Sequence, residues 1–565
     1  MIIGHQKSGL KLMNHVYNVV WNHSLLAWTV VSELGRGRTK GSTPKANSKS
    51  TRNASLVASA LLVVSGNVYA YDVNGYTDFN SSTSISDGLQ WNGTATVQVD
   101  QGADVTVSNA SGSSALNMNP AAGGYTSLWM NGGTLTASNN GSLLMGTNSM
   151  LQIGGAQIGG LTSEQSGGSA GTLSVGELKT VSGATNATLW MFGSASSTAK
   201  LYADSIDLEA DKNDLFISNP SSSELGAEIN VVNDMTVINK VGGSFLLVGN
   251  SQLNVGGNLY LDTTNGSFLA TNNSNSSGIN VGGDLTLTNN TQLSSDINSV
   301  STDAGIYSTV VNVDGDINVI GKNVGGTGLQ IINGTGTGIT TLGDFNISST
   351  VSGNTTDVIL GHAAKVTSYQ DITLNSVAGG ATNLYIGDSR YGAPTDISAK
   401  SIDMTGAGDN KVIFNNNINN PTGSGYLFDV AINGNGSVEQ QSGHTTLSAA
   451  SNFTGGTVIS GGLLSITNNQ ALGSAGVAIN TANNDNTKGL DIAYTDGSSF
   501  GNQLSGSGYT TVSGKARIVG SNQAYTGNWN ITGTAITDES VSSTLNNFGT
   551  GEIQIAREGA NKFLI

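Results

Sequence analysis

Downstream of residue 70, imidazole chemistry rests on two side chains, His362 and His444, each set among Gly, Ser, Thr and Ala. A serine protease needs a nucleophile, a base and an orienting carboxylate. The nearest nucleophile string, Gly387-Asp388-Ser389-Arg390, lacks the Gly that should follow the Ser. Both histidines therefore read as surface or turn residues. A polysaccharide lyase or hydrolase needs grouped carboxylates, and cationic side chains if its sugar is acidic. Past residue 70 the Arg residues are Arg390, Arg517 and Arg557, and Asp314 and Asp316, two apart, could share one face of a strand, although the Asp316 position repeats along the chain as a scaffold would. The chain has no Cys, which excludes thiolate metal sites, disulfides and Cys nucleophiles. It contains no His-Glu-x-x-His zinc motif and no phosphate loop. No catalytic residue, metal ligand or cofactor site is assigned, and the chain reads as a non-enzyme. A secreted lyase, hydrolase or protease on the same scaffold is the alternative.

The elements that would carry any site are strands. The 565 residues include 78 Gly and 5 Pro, and 11% are charged. From Tyr71 onward, Gly, Asn, Ser and Thr interrupt every window before an amphipathic helix can form. Period-2 alternation recurs instead: Ile229, Val231, Met235 and Val237; Leu253, Val255, Leu259 and Leu261; Ile279, Val281, Leu285 and Leu287; Val311, Val313, Ile317 and Val319. Such spacing sends one face to a core and the other to water. Aligned on the position before the second apolar pair, the markers are Glu177, Ser205, Asp234, Asn258, Asp284, Asp316, Asp344, Asp371 and Ser401, 28 residues apart on average. A second motif ends in Gly193, Gly249, Gly361 and Gly387 at a near-constant offset. Repeats this short cannot bury an apolar face alone, so neighbouring coils must stack. The expected fold is all-β: a right-handed parallel β-helix with two or three strands per coil.

Two columns follow from stacking. Asn230, Asn254, Asn280 and Asn312 hold equivalent outward positions, where they form either an amide ladder or four separately solvated side chains. Asp234, Asp284, Asp316 and Asp344 read as turn-forming carboxylates rather than cation ligands, relieved by Asn258 between the first two. Trp129 and Trp190, beside Met130 and Met191, read as core fillers.

Charge is uneven along the chain. Residues 1–70 hold eight basic side chains and one acid, Glu33, leaving 14 basic against 37 acidic side chains downstream, a net of −23. That balance argues against a nucleic-acid partner. The run Ala54–Val64, preceded by basic residues and followed by Val68-Tyr69-Ala70, has the layout of a secretory signal cleaved between Ala70 and Tyr71. Upstream lie Met13-Asn14-His15-Val16-Tyr17, Trp21-Asn22 and Val31-Ser32-Glu33-Leu34-Gly35-Arg36. This order resembles the extended signal peptide region of type V secreted proteins, the autotransporters among them. The resemblance implies a Gram-negative host, a start at Met13, export by the Sec machinery through the periplasm, and arrival at the cell surface, the outer membrane or the medium. The leader is expected to be helical or disordered.

Past Tyr426 the 28-residue marker fades. Phe453-Thr454-Gly455-Gly456-Thr457, Ser460-Gly461-Gly462-Leu463 and Ala471-Leu472-Gly473 resemble the passenger-associated repeat of autotransporters, over residues 453–473. Tyr525-Thr526-Gly527-Asn528-Trp529 is a looser copy. The resemblance implies a membrane-proximal part of a β-helical passenger. No tandem of amphipathic hairpins follows, so an outer-membrane barrel is expected in a longer chain or a separate protein. The expected organisation is an extended signal peptide over 1–70, coils over 71–426, and a membrane-proximal region over 427–565. The expected function is adhesion to host surfaces or to sister-cell passengers, leading to aggregation or biofilm.

Overall fold

The computed structural model describes residues 17–22, 27–32 and 71–565, apart from 110–113, 121–123, 155–168, 195–196, 219–225, 264–266, 272–277, 290–303, 308, 333–337, 362–363, 388–394, 419–422, 424, 483, 538–546, 556–562 and 565. The chain divides into two units, Met1–Asn67 and Val68–Ile565.

In the first unit the described residues are not helical, which corrects the expectation for that part of the leader. Tyr17–Asn22 and Ala27–Ser32 pair antiparallel, with Tyr17 opposite Ser32 and Trp21 opposite Trp28. The cause is composition: Val19, Val20, Trp21, Trp28, Val30 and Val31 are β-branched or aromatic and favour a pleated strand.

In the second unit the described residues form strands and turns, with no helix among them. Strand pairing between coils is parallel, and through most of the unit each strand meets the strand three places on. A first sheet runs through Ala227–Val231, Gln252–Val255, Gly278–Val281, Val310–Val313, Gly338–Thr341 and Lys365–Ser368. A second passes through Leu259–Thr263, Leu285–Asn289, Ile317–Gly321, Phe345–Ser349 and Ile372–Ser376. A third includes Thr126–Asn131, Ser149–Ile153 and Asn186–Phe192, and later Gly325–Ile332, Asn354–Gly361 and Ala381–Ile386. Each coil thus contributes three strands, one to each sheet.

The alternating residues go where their period sends them. Ile229, Val231, Met235, Val237, Leu253, Val255, Leu259 and Leu261 belong to one continuous core, joined by Ile279, Val281, Leu285, Leu287, Val311, Val313, Ile317 and Val319. Every coil adds several such side chains, each worth about 1.5–3 kcal/mol on burial. A single coil would leave its upper and lower neighbours' surfaces wet, so stability comes from stacking.

A further parallel sheet starts at Tyr426–Phe428 and runs through His444–Leu447, Leu463–Ile466, Gly489–Ile492, Thr510–Val512, Trp529–Ile531 and Ile553–Ile555. Its first partners, Tyr426, Thr445 and Leu464, lie 19 residues apart. Shorter coils are why the 28-residue marker fades there.

Candidate functional site

The corners between the first and second sheets carry the acidic column. Each corner side chain accepts a hydrogen bond from the backbone N–H of the equivalent residue one coil on. Asp234 Oδ1 takes the N–H of Asn258 at 2.7 Å, and Asn258 Oδ1 that of Asp284 at 2.9 Å. The chain continues from Asp284 to Asp316, Asp316 to Asp344 and Asp344 to Asp371 at 2.8, 2.8 and 3.0 Å. Each carboxylate thus satisfies a corner donor that the sheet ladder cannot reach. From Asn258 to Asp344 the residue before each acceptor is Gly, whereas Asn233 precedes Asp234, and the reason for the Gly is spatial. A Cβ at Gly257, Gly283, Gly315 or Gly343 would collide with the carboxylate or amide oxygen of the coil before it.

On the outward face of the first sheet the four Asn side chains form a bonded column. Asn254 Nδ2 donates to Asn230 Oδ1 at 2.9 Å, Asn280 to Asn254 at 2.8 Å and Asn312 to Asn280 at 2.9 Å. Asn230 in turn donates to Glu228 Oε1 at 2.9 Å. The same device recurs on other faces: Asn346 donates to Asn318 at 3.1 Å, Asn383 to Asp357 at 2.8 Å and Asn433 to Asp403 at 3.0 Å. The polar surface is therefore ordered by coil-to-coil bonds.

The third sheet departs from expectation. Trp129 and Trp190 do not fill the interior. Leu128, Met130, Leu189 and Met191 occupy the core, and the tryptophans between them point the other way. Register stacks Trp129, Gln152, Trp190, Phe216 and Leu246 in one outward column. Trp129 and Phe192 are buried yet lie outside the continuous core, so they belong to an apolar layer on the outer face. Phe192 joins it by ring contacts to Trp190 at 6.1 Å and Phe216 at 5.7 Å. Farther along, the column continues through Ile359, Tyr385 and Ile413. Burial and the charges of Asp357 and Glu439 push the Tyr385 phenol up to about 12. Trp529, by contrast, lies wholly inside, its indole donating to Phe548 O at 2.8 Å.

His444 is a second correction. It is neither exposed nor in a turn but starts the strand His444–Leu447 and is 3% exposed. Room for its ring comes from Gly425, where a Cβ would strike the imidazole. Its Nε2 lies 2.8 Å from Ser465 Oγ, which donates to Asp491 Oδ2 at 3.1 Å. Burial lifts the Asp491 carboxyl above the usual range, against hydrogen bonds from Ser513 and Ser465 and the charge of His444. Ser stands between His and Asp, which is not the order that activates a serine. His362 and Asp388-Ser389-Arg390 lie outside the described residues.

The glycines of the 453–473 segment sit at close approaches of backbone. Gly455 N donates to Gly436 O at 2.9 Å and Gly461 N to Gln440 O at 3.2 Å. Gly456 and Gly462 have positive φ, 87° and 66°, and a Cβ at Gly462 would also strike Gly443 O. Phe453, Ala471 and Leu472 are buried in the core. Tyr71 opens the first strand of the second unit, and Ala70 lies outside the described residues.

Comparison with known proteins adds two findings. Residues 13–63 match the family model described as the extended signal peptide of the type V secretion system. A segment of 74 residues, 13% of the chain, is 38% identical to the trimeric autotransporter adhesin AtaA of Acinetobacter sp. (strain Tol 5) and spans 2% of that protein's length. No solved structure matches the fold significantly.

Proposed function

We propose that this chain, an autotransporter-like protein exported to the cell surface by type V secretion, is an adhesive passenger. Type V secretion implies passage through the Sec machinery and an outer-membrane translocator. The observation that carries the adhesive reading is the bonded polar surface, from Asn230 to Asn312 and from Asp234 to Asp371, which presents the same groups coil after coil. Such a surface binds by many weak contacts whose strength is avidity. The name of the adhesin relative supports the same reading. The winding is that of a right-handed parallel β-helix, the hand that parallel crossovers favour. In this proposal Met13 starts the leader and cleavage falls between Ala70 and Tyr71. Coils fill 71–426, residues 427–565 form the membrane-proximal region, and a barrel in a longer chain or a separate protein completes export.

The test is display on cells that otherwise settle slowly. Cells carrying the chain should clump or attach to host surfaces, and clumping should strengthen with added salt as the net −23 is screened. Clumping that weakens steadily with salt contradicts self-association. Parallel assays on glycans and casein should show no turnover; hydrolysis lost on Asp316→Asn or His362→Ala would make the chain an enzyme.

A further inference from the structure

An Asn followed by Gly is a labile pair, because no side chain on the Gly shields the Asn amide from the next backbone nitrogen. The chain holds eight such pairs, beginning at Asn74, Asn92, Asn131, Asn140, Asn265, Asn333, Asn433 and Asn435. Asn265 and Asn333 lie outside the described residues. Hydrogen bonds hold three of the other amides. Asn131 Nδ2 donates to Asp100 Oδ1 at 2.8 Å, Asn433 to Asp403 Oδ1 at 3.0 Å and Asn435 to Gly406 O. Gly434 N is held as well, donating to Asn452 Oδ1 at 3.3 Å. At Asn140 the next nitrogen is occupied, because Gly141 N donates to Ser138 O at 3.2 Å. At Asn74 the next residue, Gly75, stands in register with Ala95.

Asn92 lacks all of these restraints. It lies in the strand Leu89–Asp100, whose pairing with Tyr71–Phe79 jumps from Val73 opposite Trp91 to Gly75 opposite Ala95. On the other side Gln90 pairs with Asn117, and pairing resumes with Ala95 opposite Thr126. Asn92, Gly93 and Thr94 are thus out of register on both sides. Asn92 is exposed, and its side chain makes no hydrogen bond among the described residues. Gly93 has a φ of 66°, and a Cβ there would meet nothing within 4 Å, so water and the amide reach each other freely.

We propose that Asn92–Gly93 is a self-modification site, where solvent water turns the amide into a carboxylate through a cyclic imide. The Gly93 nitrogen loses its proton and bonds to Asn92 Cγ, and the Cγ–Nδ2 bond breaks with release of ammonia. Water then opens the ring. Breaking the new N–Cγ bond gives Asp; breaking the original peptide bond gives isoaspartate, whose main chain runs through Cγ and is one carbon longer. Either product adds a negative charge. The next coil rests on this link, since a Cβ at Gly124 would lie 2.7 Å from Gly93 C, and the longer main chain presses on that contact. The proposal is independent of the adhesive reading.

The experiment is incubation of the exported, folded chain in heavy-oxygen water, followed by peptide mass mapping. A second sample is kept unfolded in urea. In the folded chain Asn92 should gain one heavy oxygen about tenfold faster than Asn131, Asn433 or Asn435, whose amides must first give up a hydrogen bond. Asn74 and Asn140 should also trail Asn92. The Asn92 rate should rise about tenfold per pH unit near neutrality, as the deprotonated fraction of a weak acid does. In urea the differences among the pairs should collapse. Asn131 or Asn433 keeping pace with Asn92 in the folded chain overturns the proposal. The same ranking in urea overturns it too, because local sequence rather than the coil would then choose the site. Asn92-Gly93-Thr94 also reads as a glycan-acceptor triplet. A sugar found on Asn92 Nδ2, with no heavy oxygen gained, gives the residue to that chemistry and overturns the proposal.

Discussion

Asp491 shows how a single side chain sets a pH dependence in this fold. Its carboxyl is buried among Ser465, Ser513 and His444, and burial raises it above the ordinary carboxylate range. The folded state therefore holds its proton more tightly than the unfolded chain does. Any stabilisation from this group is fully present below the unfolded carboxylate pKa and is lost as pH rises through the folded value. Above that window a constant penalty remains. Asp491→Asn keeps an acceptor for the Ser465 hydroxyl but removes the charge. It should raise unfolding stability at pH 7 by an amount on the order of 1 kcal/mol and flatten the dependence just above the unfolded carboxylate pKa. Urea midpoints between pH 4 and 7 check this. An Asn variant weaker than the parent at pH 7 would mean the charge is net favourable. The buried His444 was not legible in the sequence, because its small polar neighbours look like a turn; room for the ring depends on Gly425, 19 residues away.

At the scale of the element, the corner between the first and second sheets is a Gly-acceptor unit. The acceptor takes a backbone N–H from the next coil, and the Gly makes room for the acceptor of the coil before. Asn258 already serves in this column of acids. Asp284→Asn should therefore change stability by no more than about 0.5 kcal/mol. Gly283→Ala should cost about 1–3 kcal/mol, because its Cβ meets both the Asn258 amide oxygen and the backbone of Gly257. Equal losses in the two variants, measured by urea unfolding, would contradict the unit. Strand alternation was legible wherever one parity was apolar and the other polar, as in Ile279-Asn280-Val281. It failed at Leu128-Trp129-Met130 and Leu189-Trp190-Met191-Phe192, where both parities are apolar and period 2 cannot say which ring faces in. Only register against neighbouring coils settles that, so the outward aromatic column stayed hidden.

For the second unit as a whole, the governing claim is register: equivalent residues of successive coils lie directly beside one another. The repeat marker made this legible over the 28-residue coils. The shorter coils after Tyr426 hid it, because a changing period breaks any alignment on one length. The natural chain contains no Cys, so introduced thiols report contact without background. Cα atoms of a disulfide lie about 4.4–6.8 Å apart, a range that includes one coil step of about 4.8 Å and excludes two. The most direct measurement is therefore oxidation of paired variants of the exported chain, read by the shift of the cross-linked chain on a denaturing gel. Asn254→Cys with Asn280→Cys should close rapidly within one chain, and Asn254→Cys with Asn312→Cys should not. Closure of the second pair in preference to the first would contradict the stacked register on which the proposed binding surfaces rest.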